Sequence, residues 1–508
     1  MSGQTTFDLV VIGGGINGCG IAADAAGRGL AVLLAEQADL ASGTSSASSK
    51  LIHGGLRYLE HHEFRLVREA LGEREVLLAK APHIIWPLRF VLPHMPGLRP
   101  PWMIRAGLFL YDHLARRKAI PGSSALDLTR DPSGRPLRDE LTRGFAYWDC
   151  WVDDARLVVL NARLAANRGA EILTRSRVTA VEADGHFWQV RIEAGQSEGS
   201  NQVRLVRARA VVNAAGPWAD RAGALVRAGG ITPRPHLRLV KGSHIVVPRI
   251  AGANDAYLLQ SADGRVVFAL PYETHFTLIG TTDVAFTGDP ATAAIDATEE
   301  AYLLELAARF FKAPLRPTDI VWRYCGVRPL YDDATANASA VSRDYRLELA
   351  TGRDLPPLLT VLGGKVTTYR RLAEEALDRL APHLAKVGPA WTATAVLPGG
   401  DIPGGDFAAY LADLQQRKSG FDADFLRGLA RRHGSIAEHI LADARTPADL
   451  GQHLGAGLTE REVVHMRDHE WARTADDVLW RRSKAGLHLG PAARESASRA
   501  IERLLHTA

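Results

Sequence analysis

Residues 8–36 read DLVVIGGGINGCGIAADAAGRGLAVLLAE. A short apolar run at 9–12 ends in three glycines, and Gly13, Gly15 and Gly18 match G-x-G-x-x-G. A helix-compatible segment follows over 16–28, then a second apolar run at 30–35 that ends in Glu36. Strand, glycine turn, helix, strand and acid occur in the order a dinucleotide-binding βαβ unit requires. Gly13 allows the tight turn, Gly15 has no side chain to block a pyrophosphate, and Gly18 lets the helix lie close on the sheet. The helix N-terminus offers unpaired N–H groups and partial positive charge to phosphates. Glu36 is placed to accept hydrogen bonds from the adenosine ribose hydroxyls, and an acid there disfavours the 2′-phosphate of NADP. Alone, the glycine pattern would be an ordinary turn. Its flanking strands and acid decide for a dinucleotide, and NAD and FAD both remain open.

At 508 residues the chain is long enough for two or three domains and a large core. Its hydrophobic fraction of 46% and charged fraction of 23% are those of a water-exposed globular protein. The net charge of +4 permits contact with anionic substrates or lipid headgroups without demanding it. Cys19, Cys150 and Cys325 are far apart and form no CxxC pair, which argues against a disulfide framework and a zinc site and suits a reducing cytoplasm. The first strand begins almost at once, so no signal peptide is expected. No apolar run approaches the roughly 20 residues of a spanning helix.

The loop after Glu36 crowds small hydroxyl residues from Ser42 to Ser49, then brings Lys50, His53, Gly54, Gly55, Arg57 and Tyr58. Serines alone would make it a solvated loop. The glycine pair permits close approach to a flat ligand, and the basic and aromatic residues behind it suit an anion. The periodicity predicts helices over 62–80 and 102–118. The second, WMIRAGLFLYDHLARRK, is either a packing helix or an interfacial one with a basic end. Strands are expected near 170–173, 178–181, 187–192 and within 208–220, the last ending in small residues, and Asp153 or Asp154 should cap a helix that Gly169 ends. From residue 231 short strands alternate with turns, which predicts an antiparallel sheet. The stretch LLTVLGGKVTTYRRLAEEALDRL at 358–380 has the form strand, Gly-Gly-Lys turn, helix from about Thr367. Beyond a Pro- and Gly-rich boundary at 397–405 the chain reads as charged helices, without internal repeats.

SSKLIHGGLRYLE at 48–60, directly after a nucleotide fingerprint, resembles the flavin-dependent glycerol-3-phosphate dehydrogenases, a branch of the D-amino-acid-oxidase-type flavoproteins. LVKGSHIVV at 239–247, FTLIGTTD at 276–283, WRYCGVRPLYDD at 322–333, VSRDYRLE at 341–348 and REVVHMRDHEWARTADDVLWRRS at 461–483 extend the likeness over nearly the whole chain. The resemblance implies an α/β fold with a glutathione-reductase-like FAD-binding Rossmann domain, a mixed or antiparallel-sheet substrate domain and a C-terminal all-helical domain. The corresponding boundaries are 1–80, 147–230 and 331–390 for the first, 81–146 and 231–330 for the second, and 400–508 for the third.

It also implies FAD as cofactor, held by Gly13, Gly15, Gly18, Glu36, Ser45, Ser46, Ser49, Lys50, His53, Gly54, Gly55, Val178, Ala215, Gly216, Gly364, Lys365 and Thr367. Arg57, Tyr58, Arg343 and Lys365 become candidates for the phosphate of glycerol 3-phosphate, since arginine forks and lysine charge suit a dianion. Arg328 is the candidate to orient the C2 hydroxyl, and His244 the proton acceptor, its ordinary pKa near 6.5 suiting base work at neutral pH. Family members work at the inner face of the cell membrane and pass electrons to a quinone. A cytoplasmic, peripherally membrane-bound enzyme is therefore expected here, with oligomeric state open and a homodimer included. An oxygen-using oxidase that releases peroxide is the rival within enzymes. A flavin scaffold binding RNA is the rival outside them, and the interspersed acids, with no basic aromatic stripe, speak against it.

Overall fold

The computed structural model describes residues 5–95, 99–195, 202–228, 237–261, 265–332, 344–352 and 355–507. Two large sheets share one boundary, and the ligand cavity lies along it. In the first sheet Thr6–Ile12 is central, parallel to Val32–Ala35 on one side and to Val203–Asn213 on the other. Glu171–Leu173 extends the sheet beyond Val32–Ala35, and Leu355–Leu362 joins Val203–Asn213, both in parallel. The antiparallel hairpin Ser176–Asp184 and Phe187–Ala194 continues the sheet beyond Val203–Asn213, with Val226–Arg227 parallel at its edge. Strands buried on both faces explain the continuous apolar runs at Leu9, Val10 and Val11 and at Leu33 and Leu34.

The helix Ile16–Gly27 packs between Asp154–Ala166 and Tyr369–Leu380. Its alanine- and glycine-rich sequence is what allows the approach: a Cβ on Gly20 would lie 2.7 Å from the Tyr369 ring, and one on Gly27 1.9 Å from Trp391. Asp153 is the N-cap of Asp154–Ala166, accepting a hydrogen bond from the Arg156 N–H, and Gly169 with φ +90° follows its end.

In the second sheet Leu237–Pro248 lies between Phe276–Gly280 and Trp322–Tyr331, all antiparallel. Val266–Tyr272, Ala256–Gln260, Ile85–Pro93, Arg143–Val152 and Leu51–Ile52 continue it, with one parallel pair, Ala256–Gln260 against Ile85–Pro93. Leu51–Ile52 and the end of Arg143–Val152 are thus strands of this sheet, so the expected boundaries at 80/81 and 146/147 cut through it. The expected helix at 102–118 is Pro101–His113 and stops short of Arg116, Arg117 and Lys118.

The C-terminal region is mostly helical, with Phe407–Arg417, Ala423–His433, Glu460–Glu470 and Pro491–His506 as its longer helices. It is not purely so: His453–Gly455 and Leu458–Thr459 form a small hairpin. Pro491–His506 begins with a proline, at a helix start where the missing N–H costs nothing. Buried ion pairs tie this region to the nucleotide-binding part. Glu470 Oε1 accepts from Arg156 Nη2 at 2.9 Å, and Arg482 makes two 2.7 Å bonds to the Asp39 carboxylate. The same Glu470, with His433 and His465, is the group among the described residues whose ligand atoms lie within metal-binding reach of one another. The Arg156 guanidinium and nearby Arg163 already balance that carboxylate, which suits an ion-pair network better than a cation.

Candidate active site

A cavity of about 740 Å³ runs from the glycine turn to the second sheet. At the nucleotide end, Gly13 adopts φ +110°, and a Cβ there would lie 2.6 Å from the Ala214 carbonyl oxygen. A Cβ on Gly18 would lie 1.9 Å from the Gly13 oxygen, so this glycine serves packing and does not line the cavity. Gly15 does line it, and a Cβ there would meet only Ser45 Oγ, at 3.1 Å. Ser45 Oγ also accepts the Ile16 N–H at 3.0 Å, at the start of the helix. Glu36 accepts from the Gly14 N–H at 2.6 Å and the Ala38 N–H at 2.8 Å. Burial pushes its carboxyl up while those N–H groups pull it back, and each oxygen keeps a further lone pair for a ribose hydroxyl. Val178, Ala215 and Gly216 line the same end.

The serine loop is pinned rather than solvated. Ser48 donates from Oγ to Asp154 Oδ2 at 2.7 Å, Lys50 Nζ to Asp154 Oδ1 at 2.8 Å, and Thr44 Oγ1 to the Val327 oxygen at 2.6 Å. Ser45, Ser49 and His53 line the cavity, whereas Ser46, Lys50, Gly54 and Gly55 do not. Lys50 is buried in its pair with Asp154, and the Ser46 carbonyl accepts from Lys50 Nζ at 3.1 Å. Gly54 donates its N–H to Tyr111 Oη at 2.9 Å, and Gly55 at φ +75° has no room for a Cβ beneath the Tyr58 ring. These four build the loop that presents the others.

Gly364 at φ +104° and the turn through Lys365 and Thr367 form the adjoining wall, with Thr367 Oγ1 accepting the His53 N–H at 3.2 Å. The helix itself begins at Tyr369, two residues later than its sequence implied. Lys365 Nζ sits 3.8 Å from the centre of the Tyr58 ring, so two expected phosphate ligands come together. Arg57 shares the turn Leu56–His61 with Tyr58 but is not among the lining residues. Arg343 lies outside the described residues.

His244 and Arg328 meet at the deep end. His244 is 2% exposed, with Nε2 3.0 Å from Ser49 Oγ and Nδ1 without a hydrogen-bond partner. Burial first, and then the charges of Arg328 and Lys50, hold its pKa well below the ordinary histidine value. Arg328 pairs with Asp283, and its Nη2 donates to Thr281 Oγ1 at 2.9 Å. A Cβ on Gly242 would lie 2.3 Å from that Nη2, so the guanidinium rests on bare backbone. Asp154, Asp283 and Tyr324 shape this end without having been assigned site roles from sequence, and Ser49, expected at the cofactor, also meets His244. A buried aspartate after a helix cap and the Thr-Thr-Asp turn were the available signals, but neither says what it touches.

The cavity fits FAD. One end is a glycine cradle that a Cβ at Gly13 would fill, with an acid and a helix N-terminus beside it. The other end, past the serine loop, has a second glycine turn at positive φ and polar groups that a flat ring system could meet.

Comparison with known proteins agrees. Residues 8–370 match the family model for FAD dependent oxidoreductase, and 390–507 that for the C-terminal domain of alpha-glycerophosphate oxidase. A glycerol-3-phosphate dehydrogenase of Pseudomonas aeruginosa is 54% identical over 486 residues, 96% of this chain and 93% of that one. A D-erythritol 1-phosphate dehydrogenase of Brucella abortus is 50% identical over 495 residues, 97% of each chain. Among solved structures, the glycerol-3-phosphate dehydrogenase from Bacillus halodurans complexed with FAD superposes with a TM-score of 0.77 at 28% identity, covering 98% of this chain and 91% of that one. Fingerprint, cavity and likeness along the full length agree: the chain belongs to the FAD-dependent glycerol-3-phosphate dehydrogenase family of FAD-dependent oxidoreductases.

Proposed function

We propose that this chain oxidises sn-glycerol 3-phosphate at C2 to dihydroxyacetone phosphate and delivers the electrons to a quinone at the inner face of the cell membrane. The observation that carries the reading is a buried imidazole beside a guanidinium fixed by Asp283 and Thr281 at the far end of a dinucleotide cavity. When bound, FAD supplies the two-electron acceptor. Gly13, Gly15, Glu36, Ser45 and Val178 would hold its adenylate half, and Ser49, His53, Gly364 and Thr367 its flavin half.

His244 takes the hydroxyl proton, because an imidazole kept neutral has a lone pair to offer across the physiological range. Arg328, its fork set by Asp283 and Thr281, orients the C2 oxygen and balances charge that builds on it. Lys365 and Tyr58 meet the phosphate, with Arg57 on the same turn and, by family likeness, Arg343. Anaerobic addition of glycerol 3-phosphate to the FAD-loaded protein should bleach the flavin absorbance. Bleaching by D-erythritol 1-phosphate instead, at equal concentration, would reassign the substrate, and bleaching by neither would sink the reading.

One surface feature supports the membrane part of this reading. The helix Pro101–His113 buries only Leu108 and Tyr111 and leaves Trp102 70% and Phe109 59% exposed, with Met103 and Leu110 beside them. Arg105 lies on the helix, and Arg116, Arg117 and Lys118 follow it. A bare aromatic face with basic neighbours fits a helix lying in a lipid interface. No helix among the described residues is long and apolar enough to cross a membrane. Sedimentation with anionic vesicles should be lost in W102E/F109E while bleaching by substrate survives. Peroxide formed in proportion to substrate in the presence of a quinone analogue would favour the oxidase instead.

A further inference from the structure

His244 is the inner end of a stack of four rings that starts in the C-terminal region. Its ring faces that of Tyr324 with centroids 4.7 Å apart and planes 14° from parallel. Tyr324 meets Trp322 in a tilted contact at 4.9 Å and 41°, two residues away on the same face of the strand Trp322–Tyr331. Trp322 in turn stacks on Trp480 at 4.9 Å and 23°. Both ends of the stack rest on glycine: a Cβ on Gly280 would lie 2.1 Å from His244 Cδ2, and one on Gly486 2.9 Å from Trp480 Cε2.

The outer ring is held firmly. Trp480 belongs to the π-helical turn Asp477–Arg482, a geometry that re-aims side chains within a helix. Neighbouring Arg481 and Arg482 are tied to Asp39, and the Arg494 guanidinium lies 5.2 Å from the Trp480 ring. Tyr324 donates its hydroxyl to the Ser48 oxygen at 2.9 Å, so the stack is also fastened to the serine loop.

We propose that Trp480, acting through Trp322 and Tyr324, is a positioning residue for His244, by which the C-terminal domain holds the proton acceptor's ring in its slot and keeps water from it. The inference rests on the reading of His244 as base. An imidazole with one hydrogen bond, to Ser49, is free to turn about its Cβ–Cγ bond unless packing stops it. Here the Tyr324 face and the Gly280 backbone leave a slot one ring thick. The charged groups around it are Lys50 on the serine loop, paired with Asp154, and Arg328 on the Trp322–Tyr331 strand, paired with Asp283. Burial disfavours imidazolium most, and both cations add to it. Removing the outer ring loosens the stack and admits water, so the His244 pKa rises toward its ordinary value.

The test uses the FAD-loaded protein with W480A, W480F, G486A and H244Q. In W480A the acidic limb of kcat/KM should move up by about one pH unit, the scale on which surroundings shift histidines. Its kcat should fall about tenfold or more with KM within about twofold, the signature of a misplaced catalytic group. The His244 imidazole resonance in 15N-histidine-labelled protein, assigned by its absence in H244Q, should titrate higher by the same shift. W480F should restore all three. Unchanged pH limb and resonance in W480A, with H244Q inactive, would overturn the positioning role and leave the base assignment standing. If H244Q keeps its kcat, the base assignment fails, and the resonance alone decides whether Trp480 governs His244. Should W480A not fold, G486A displaces the same ring, and unchanged readouts there overturn the proposal equally.

Discussion

Replacing Asp154 by asparagine should destabilise the protein and loosen the cavity wall that carries Ser49. Asp154 is fully buried and accepts from the Ser48 N–H and Oγ, from Lys50 Nζ and from the Ala155 N–H. Lys50 is 1% exposed at its side chain, so removing the carboxylate strands an ammonium that cannot reach water. Breaking one side of a buried pair costs about 3–5 kcal/mol, because the remaining charge keeps its desolvation penalty. With an unfolding entropy of about 2.1 cal/mol/K per residue, 508 residues give about 1.1 kcal/mol/K. A cooperative melt would therefore fall by about 3–5 °C. Calorimetry of the FAD-loaded variant measures this directly. K50M/D154L should recover much of the loss, because it leaves no charge behind. A D154N melt within about 1 °C of the parent, or a double variant no better than D154N, would refute the reasoning.

Four more expectations follow from the geometry. Gly18→Ala should abolish FAD retention, read as flavin absorbance after gel filtration, since its Cβ would collide with the Gly13 oxygen at 1.9 Å. Arg328→Ala should lower kcat more than it raises KM, whereas Lys365→Ala should raise KM for the phosphorylated substrate, both by steady-state kinetics. Acid should destabilise the protein through its buried histidines. His83, His244 and His433 are held low chiefly by burial, and His465 is pushed down to about 3. The unfolded chain takes up protons as pH falls below about 6.5 while these native imidazoles refuse them, so each removes up to about 1.4 kcal/mol per pH unit until its native pKa is reached. Glu470, held low by Arg156, adds to the loss below about pH 4.5. Thermal melts from pH 7 to 5 should show the decline, and His83→Leu should flatten it, because both its ring nitrogens are buried without a partner.

The glycine fingerprint, its flanking strands and Glu36 were legible because turn sterics and strand burial are local: a glycine at φ +110° is needed wherever the turn is made. The alternation that announced the second sheet was likewise local, and the structure places His244, Ser49, Tyr58, Lys365 and Arg328 on one cavity as the motifs implied. What each of those groups faces was not legible. Lys50 reads like any loop lysine ready for an anion, and only the fold buries it against Asp154. Ser49 joins His244, and Trp480 is linked to the His244 ring through Trp322 and Tyr324, because two sheets and a C-terminal domain pack together. The exposed face of Pro101–His113 is another such case, since its periodicity serves a core as well as a membrane. Sequence by itself determined a dinucleotide site and the residue types available for chemistry, because these follow from short-range sterics and composition, while FAD and the full domain plan came from family resemblance. The tertiary structure decided which charges are spent inside the protein and which are left for substrate, because burial and pairing depend on neighbours that lie far apart along the chain.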